Sequence, residues 1–399
     1  MIGNGLYFGP CTLRQYCSVY LLFYVFMNRS MIHGYSRLIF SYMLFICMYG
    51  ISSLIDNNFS TYIRQLVALY TVSILGYYST IIILKKYKSY EYFINGYIYV
   101  GIVNACIIIL QYLNNKYAFL LGAVFVDMND PVKVAQLTRM MEGNHSNLIG
   151  IMGDIVYNGY YAMILPFIIL LKFKNSNILF KYGLLIISLI SLFMVGERSC
   201  FGITVLLLLW YLYSEVRHTP SFYLSCLVAF AISMWYMSDF INSDAIQSSR
   251  WVGEDSGVRD NLQKAILPFI FDHFLFGGLK DFIKLTKFPP HNVVASGFIY
   301  AGFIGGICVI SILLKQAQIS YFLIRNKKNV LLSLSFVAYT LNGFFHNPAI
   351  VTGDAMVWIL WGIVIYSYKT RKSNKRIYID EKTTTGTQLS FNLNNCSYL

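Results

Sequence analysis

Charged side chains are scarce in this sequence: Asp, Glu, Lys and Arg make up 12% of its 399 residues. A soluble globular domain carries about 25%, so a water-soluble enzyme, a disordered protein and a nucleic-acid module are all excluded. Acids are scarcer than bases, 18 against 31. Cysteine is present (Cys11, Cys17, Cys47, Cys106, Cys200, Cys226, Cys308, Cys396) but no spacing suggests zinc or a disulfide framework. These residues lie in or beside apolar runs or in the tail, and they read as small buried hydrophobes. The N-terminus lacks a basic n-region and an A-x-A-like site, so no cleavable signal peptide is expected, and a first helix would act as signal anchor. No DxD-like or His/carboxylate cluster has metal-ligand spacing, so neither a metal nor another cofactor is expected. No glycine-rich phosphate loop precedes a cytoplasmic helix, which argues against nucleotide use.

What is abundant is apolar: 57% of residues are AVILMFWYC and the mean hydropathy is +0.55. Apolar runs long enough for a membrane helix fall at about 9–27, 38–55, 64–84, 92–113, 147–171, 178–195, 199–214, 219–241, 292–314, 329–347 and 351–368. The expected fold is therefore an all-α polytopic membrane protein of about eleven spans. Residues 1–368 form one bundle, with external loops at 114–146 and 242–291. A polar cytoplasmic tail, 369–399, has a basic start suited to anionic lipid heads. Assigning the connections alternately to two sides gives one side a net +15 and the other −2, together the +13 of the chain. The positive side should be cytoplasmic, so the basicity is a topology signal rather than a nucleic-acid footprint. The N-terminus then falls outside.

Two long external loops set the chain apart from a bundle with minimal connections, and loops of such length are usually functional or disordered. The second contains NLQKAILPFIFDHFLFGGL (261–279), with Leu262, Ala265, Ile266, Phe269 and Ile270 at amphipathic-helix spacing. Three ionisable positions stand out. Arg198, in GERSCFG, lies between two apolar runs at the external boundary, where an unpartnered charge costs roughly 2.5 kcal/mol or more; a snorkelling Arg or a pair with Glu197 is the simpler account. Arg259, in GVRDNLQKA, opens the amphipathic segment beside Asp260, where an ordinary surface pair would suffice. His291 follows Pro289 and Pro290 and opens a membrane helix. A neutral His there can act as a base, although a lone interfacial His is more often an anchor. Together, two guanidiniums and an imidazole on one side of a membrane suit a reaction on a diphosphate-linked lipid, because the Arg fork binds phosphate bidentately and stays charged.

With these residues in view, the stretch from GVRDNLQKAILPFIFDHFLFGGLKDF through HNVVASGFIYAGFIGGICVISILL resembles the shared region of the O-antigen polymerase and O-antigen ligase superfamily. The features carrying the likeness are Arg259–Asp260, Phe276–Gly277–Gly278, His291–Asn292 and Gly302–Gly306, with Arg198–Ser199 matching the family's small-residue/Arg/Ser element. Three departures exist: in HFLFGGL, Leu275 stands where Pro is common and no second Gly follows the spacing residue, and Glu197 stands where a small residue is usual. The resemblance covers about 190–315. It implies a metal-independent, inverting glycosyltransferase with a GT-C-like bundle in the bacterial inner membrane. The donor would be a glycan on undecaprenyl diphosphate, used at the periplasmic face. Arg198 and Arg259 would hold the diphosphate and stabilise the leaving group; His291 would take the acceptor hydroxyl's proton. Asn292, Arg139 and Asp260 are expected substrate-binding residues, with His145 a weaker candidate beside Arg139. His273 reads as interfacial, and His346 and Asp354 as weaker residues facing the same side.

A polymerase, which joins lipid-linked repeat units in lipopolysaccharide O-antigen biosynthesis, and a ligase, which transfers the glycan to lipid A–core, share this donor chemistry. The Ile/Tyr/Phe/Asn-rich composition favours the polymerase; another polysaccharide polymerase stays open. Its partners would be undecaprenyl-diphosphate-linked oligosaccharides, membrane lipid and a chain-length regulator. A lipid-linked oligosaccharide flippase or other transporter is the alternative of another class. It should place its ionisable residues at mid-membrane in related halves, and no internal repeat is visible.

Overall fold

The computed structural model describes residues 7–8, 11–124, 126, 134–135, 137–138, 148–152, 155–215, 256–327, 329–345 and 349–370. Apart from one two-residue antiparallel pairing, Tyr7 with Thr12 and Phe8 with Cys11, regular structure among these residues is helical. The elements are α1 (Leu13–Met27), α2 (Ser36–Ile55), α3 (Phe59–Gln65), α4 (Thr71–Tyr87), α5 (Glu91–Tyr112), α6 (Lys116–Ala123), α7 (Ile155–Lys172), α8 (Ile178–Met194) and α9 (Arg198–Glu215). They continue with α10 (Ser256–Asp272), α11 (Leu279–Thr286), α12 (Val293–Arg325), α13 (Val330–Asn342) and α14 (Ala349–Thr352), and finally α15 (Ala355–Thr370). A π-helical turn, Leu66–Tyr70, joins α3 to α4.

Helices stand at ten of the eleven apolar runs; the run 219–241 lies outside the described residues. Phe59–Tyr87, Glu91–Tyr112 and Val293–Arg325 are long and apolar enough to cross a membrane, and seven further apolar helices are shorter. Their outward faces are carbon-rich, with Phe23, Phe26, Tyr99, Leu179 and Leu206 all exposed. Soluble monomers rarely show such continuous apolar surface; hydrocarbon is its natural solvent. Among the described residues Cys17, Cys47 and Cys106 lie on this exposed surface while Cys200 and Cys308 are buried. The expectation of uniformly buried cysteines is therefore corrected: a thiol facing lipid needs no burial to be in apolar surroundings.

The connections gather at two ends. At the basic end, Tyr90 and Asn329 both hydrogen-bond Ser367 Oγ (2.7 and 3.0 Å). Lys172 there approaches Glu91 at 4.0 Å, and the Lys369 ammonium donates to Gly34 O. At the other end the Lys280 backbone N–H donates to Asp56 Oδ2 (2.8 Å), joining the first turn of α11 to the α2–α3 turn. These contacts join connections that the alternating assignment puts on one side.

Three segments depart from the sequence expectation. The loop 114–146 opens with a helix, α6, capped by Asn115, whose side chain accepts from Tyr117 N and Ala118 N. The run 147–171 becomes helical only at Ile155. Ahead of it, the buried residues 148–152 are pinned by amides: Asn104 Oδ1 accepts from Ile151 N (2.9 Å), Gln111 Oε1 from Gly150 N (3.0 Å), and Asn158 Nδ2 donates to Leu148 O (2.8 Å). Satisfied backbone groups let irregular chain lie inside an apolar bundle.

The third departure shapes the site. The run 292–314 is not one straight span. α12 breaks at Ala301 (φ −141°, ψ 20°) and Gly302 (φ 62°, ψ −159°). The limb 303–325 then runs about 34 Å at 1.5 Å per residue, enough to span a hydrocarbon core by itself. The limb 293–300 folds back along it. A methyl on Gly297 would lie 2.9 Å from Val309 Cγ2, and one on Gly306 would overlap the Phe298 ring. In an unbroken helix positions 297 and 309 would be about 18 Å apart. Small residues at 297, 301 and 305 let the limbs meet closely.

Candidate functional site

The turn 274–278 fills the elbow of α12. Gly278 N donates to Ile299 O (2.9 Å) and Phe303 N to Phe274 O (2.8 Å), so backbone groups freed by the break are paired again. Gly302 has no room for a side chain: a Cβ there would overlap the Leu275 carbonyl, 2.5 Å from its carbon. Its positive φ also favours glycine. Gly277, with φ 74°, would place a Cβ 2.5 Å from Ile299 O. The Phe276–Gly277–Gly278 turn and the glycine-rich helix are thus two halves of one backbone joint.

The joint sets where the short limb begins. Asn292 caps it, its Oδ1 accepting from Val294 N (2.9 Å) and Ala295 N (3.1 Å) while its Nδ2 donates to Phe344 O (3.3 Å). Val293 N donates to Gly343 O (2.9 Å), and Ser296 Oγ donates to Asn292 O (2.7 Å). His291, half-buried, precedes this cap. Because the limb folds back, His291 and Asn292 sit beside the end of α13, below the elbow. The expectation that His291 opens a membrane helix at its outer boundary is corrected accordingly: it opens a re-entrant limb.

His291 and Asn292 line a groove of about 720 Å³ whose other walls include Leu262, Ile266 and Ile270 of α10 and Phe298, Phe344 and Phe345. α10 is the expected amphipathic helix, extended back to Ser256. Leu262 and Phe269 are buried and Leu267 and Phe271 exposed, as the apolar spacing requires. Arg259 closes its first turn and Asp260 follows. Position 259 precedes Leu262 by three residues and Ile266 by seven, the register of the groove-lining face. The side chains of Arg259 and Asp260 lie outside the described residues.

Arg198 begins α9 with its side chain exposed, while Glu197 just before it is buried against Gly159. Two residues into α9, Cys200 Sγ lies 3.1 Å from Asn342 Nδ2. Asn342 ends α13, and the next two residues, Gly343 and Phe344, hold Val293 and Asn292 through their carbonyls. The exit of α13 therefore ties the Arg198 helix start to the His291 limb start. Sequence reasoning missed Asn342, since one Asn in an apolar run announces neither partner.

The remaining candidates separate. Arg139, His145 and His346 lie outside the described residues. His273 stacks on Phe269 (ring centroids 4.0 Å apart). Asp354 lies between α14 and α15. It is buried, accepts from Met356 N (3.0 Å) at the start of α15 and from the Tyr339 hydroxyl. An acid that near a helix start is held by backbone donors and the dipole. On α11, Lys284 Nζ lies 2.7 Å from Asp281 and holds that carboxyl below its ordinary value. Burial pushes Asp56 upward. Among the described residues no group of three His, Cys, Asp or Glu side chains could hold a metal. No family model, curated protein or solved structure matches this chain.

Proposed function

We propose that this chain is a multi-pass membrane glycosyltransferase of the O-antigen polymerase type. It joins undecaprenyl-diphosphate-linked oligosaccharide repeat units at the periplasmic face of the bacterial inner membrane, in a GT-C-like bundle of about eleven spans. The observation that carries the reading is the groove in which His291 lies against apolar walls, beneath the helix whose first turn bears Arg259. A lipid-linked substrate requires that juxtaposition: hydrocarbon surface for the carrier and a titratable base at the edge. Arg198 starts a helix tied to the start of the His291 limb through Cys200 and Asn342.

In this reading Arg259 and Arg198 bind the diphosphate oxygens of the donor and offset the charge that develops as the sugar leaves. The acceptor hydroxyl attacks the anomeric carbon from the opposite side, its proton passing to a His291 ring nitrogen. The C–O bond to diphosphate breaks with its electron pair, releasing undecaprenyl diphosphate, and the anomeric configuration inverts. Asn292, occupied as a cap, positions the ring rather than the sugar.

The test is reconstitution. Purified protein in vesicles with undecaprenyl-diphosphate-linked repeat units should form dimers and longer products, releasing one undecaprenyl diphosphate per bond. No product from the wild-type chain, with a known polymerase active alongside, would reject the reading.

A further inference from the structure

At the basic end of the bundle two ammonium groups meet over one ring. Lys85 Nζ lies 4.8 Å from the centroid of the Tyr35 ring and Lys369 Nζ 3.9 Å from it. The two nitrogens are therefore no more than about 8.7 Å apart. Each lysine stands in the last turn of its helix, α4 and α15, where the dipole favours a cation. That accounts for either lysine alone. It does not account for their convergence, from helices far apart in the chain, on a ring whose attraction for each is modest. The ring brings no countercharge: Tyr35 is buried, and burial pushes its hydroxyl up to about 12. Burial also holds Lys85 below its ordinary value, and among the described residues no carboxylate pairs with it. The loop between α1 and α2 is fixed around the pair. Met31 O accepts from Lys85, Gly34 O from Lys369 and Tyr35 O from the Tyr77 hydroxyl (3.2 Å).

We infer that Lys85 and Lys369 hold the phosphate of an anionic phospholipid from the leaflet at this end. Two free phosphate oxygens roughly 2.5 Å apart, each accepting a charge-assisted hydrogen bond of about 2.8 Å, span up to roughly 8 Å. That is the scale of the lysine separation. Lys85 spends one of its three donors on Met31 O, so two can turn to a ligand. An anion between the lysines offsets both the repulsion of like charges and the penalty of burying Lys85. A free phosphate would satisfy the same donors, but the surroundings favour a lipid. Phe26 and Met27 at the end of α1, and Phe40 in the second turn of α2, are exposed on either side of the loop. They supply carbon surface on which acyl chains can lie. Arg29, its guanidinium 5.8 Å from the Phe26 ring centroid, adds a third cation at the same loop. Four more bases, Arg371, Lys372, Lys375 and Arg376, follow Lys369 in the sequence. Basic pockets between membrane helices bind anionic head groups in this manner. Lipid binding here is independent of the proposed transfer reaction.

Native mass spectrometry of the purified full-length protein reads the binding directly. Phosphatidylglycerol or phosphatidylcholine is titrated into the detergent, with inorganic phosphate as competitor. The expected result is a saturable site that prefers phosphatidylglycerol by about fivefold or more, the scale of one lysine facing an anionic head group. Lys85→Gln and Lys369→Gln should each weaken it about fivefold, and Lys85→Arg should keep it. Lys86→Gln should leave it unchanged, because Lys86 is exposed and lies over Tyr87 instead. Equal affinity for the two lipids, or a loss in Lys86→Gln as large as in Lys85→Gln, would overturn the inference in favour of diffuse attraction to a basic surface. Undiminished affinity in both Gln variants would leave the lysines as a clamp on the loop and nothing more. Displacement of the lipid by inorganic phosphate at equal concentration would overturn the lipid assignment in favour of a free anion. Where Lys85→Gln yields no folded protein, Lys369→Gln and the two-lipid comparison on the wild-type chain decide. His291→Ala should bind phosphatidylglycerol as the wild type does, so loss of transfer and loss of the lipid site are read apart.

Discussion

At the scale of single residues, the account separates side chains that react from side chains that hold them. His291→Ala should lower transfer by about 10²–10⁴-fold, the usual worth of a general base, with expression unchanged, as measured on purified protein. Arg259→Lys should also fail, by roughly tenfold or more, the scale of one charge-assisted hydrogen bond, because an ammonium cannot reproduce the planar fork. Asn292 behaves differently. Asn292→Ala removes the cap and should cost about 1 kcal/mol of stability, read as a lower unfolding midpoint, whereas Asn292→Asp retains the acceptor for Val294 and Ala295 and should recover most of it. Arg198 and His291 were legible in the sequence because polar atoms in an apolar run need a reason. Asn342 was not, because its importance lies in meeting Cys200, 142 positions away in the chain. Nor was the depth of His291, which depends on a backbone turn ten residues later.

At the scale of elements, the joint between 274–278 and the elbow of α12 is the feature on which the site depends. Gly302→Ala combines a strained positive φ, costing about 1–3 kcal/mol, with overlap of the Leu275 carbonyl. It should abolish folded protein in a thermal-stability screen, while Gly183→Ala, facing open space, should be silent. The glycines were visible in the sequence, but GFIYAGFIGG reads equally as close helix packing, and hydropathy averages across a fold-back without registering it. The amphipathic helix was legible because five apolar residues, 262, 265, 266, 269 and 270, keep one face over more than two turns. α11 was not: it is short, and its start is held by Asp56 from a distant turn. That contact carries a pH dependence. Burial raises the Asp56 pKa in the folded state, so its contribution favours folding at low pH and weakens as pH rises from the unfolded toward the folded pKa. Asp281, held low by Lys284, has the opposite sign. Asp56→Asn keeps an acceptor for Lys280 N without the charge. Its midpoint should match wild type at low pH, where both side chains are neutral, and exceed it once the carboxyl of the folded protein ionises, and a difference independent of pH would contradict the assignment.

At the scale of the whole molecule, sidedness and function are linked. The contacts gather 34, 90, 172, 329 and 367–369 at one end and 56 and 280 at the other, the grouping that alternating the connections gives. Reporter fusions or single-cysteine labelling at 88 and 174 should give a cytoplasmic signal, and at 57 and 115 an external one; the reverse would place His291 on the side where no flipped donor exists. The most direct measurement is a lipopolysaccharide gel from the source strain with this gene deleted and then restored. The account predicts core plus a single repeat unit on deletion and a full ladder on restoration of the wild-type chain, but not of His291→Ala. Bare core with polymer left on the lipid carrier would make the chain a ligase, bare core with single units untransported a flippase, and an unchanged ladder would contradict the account altogether.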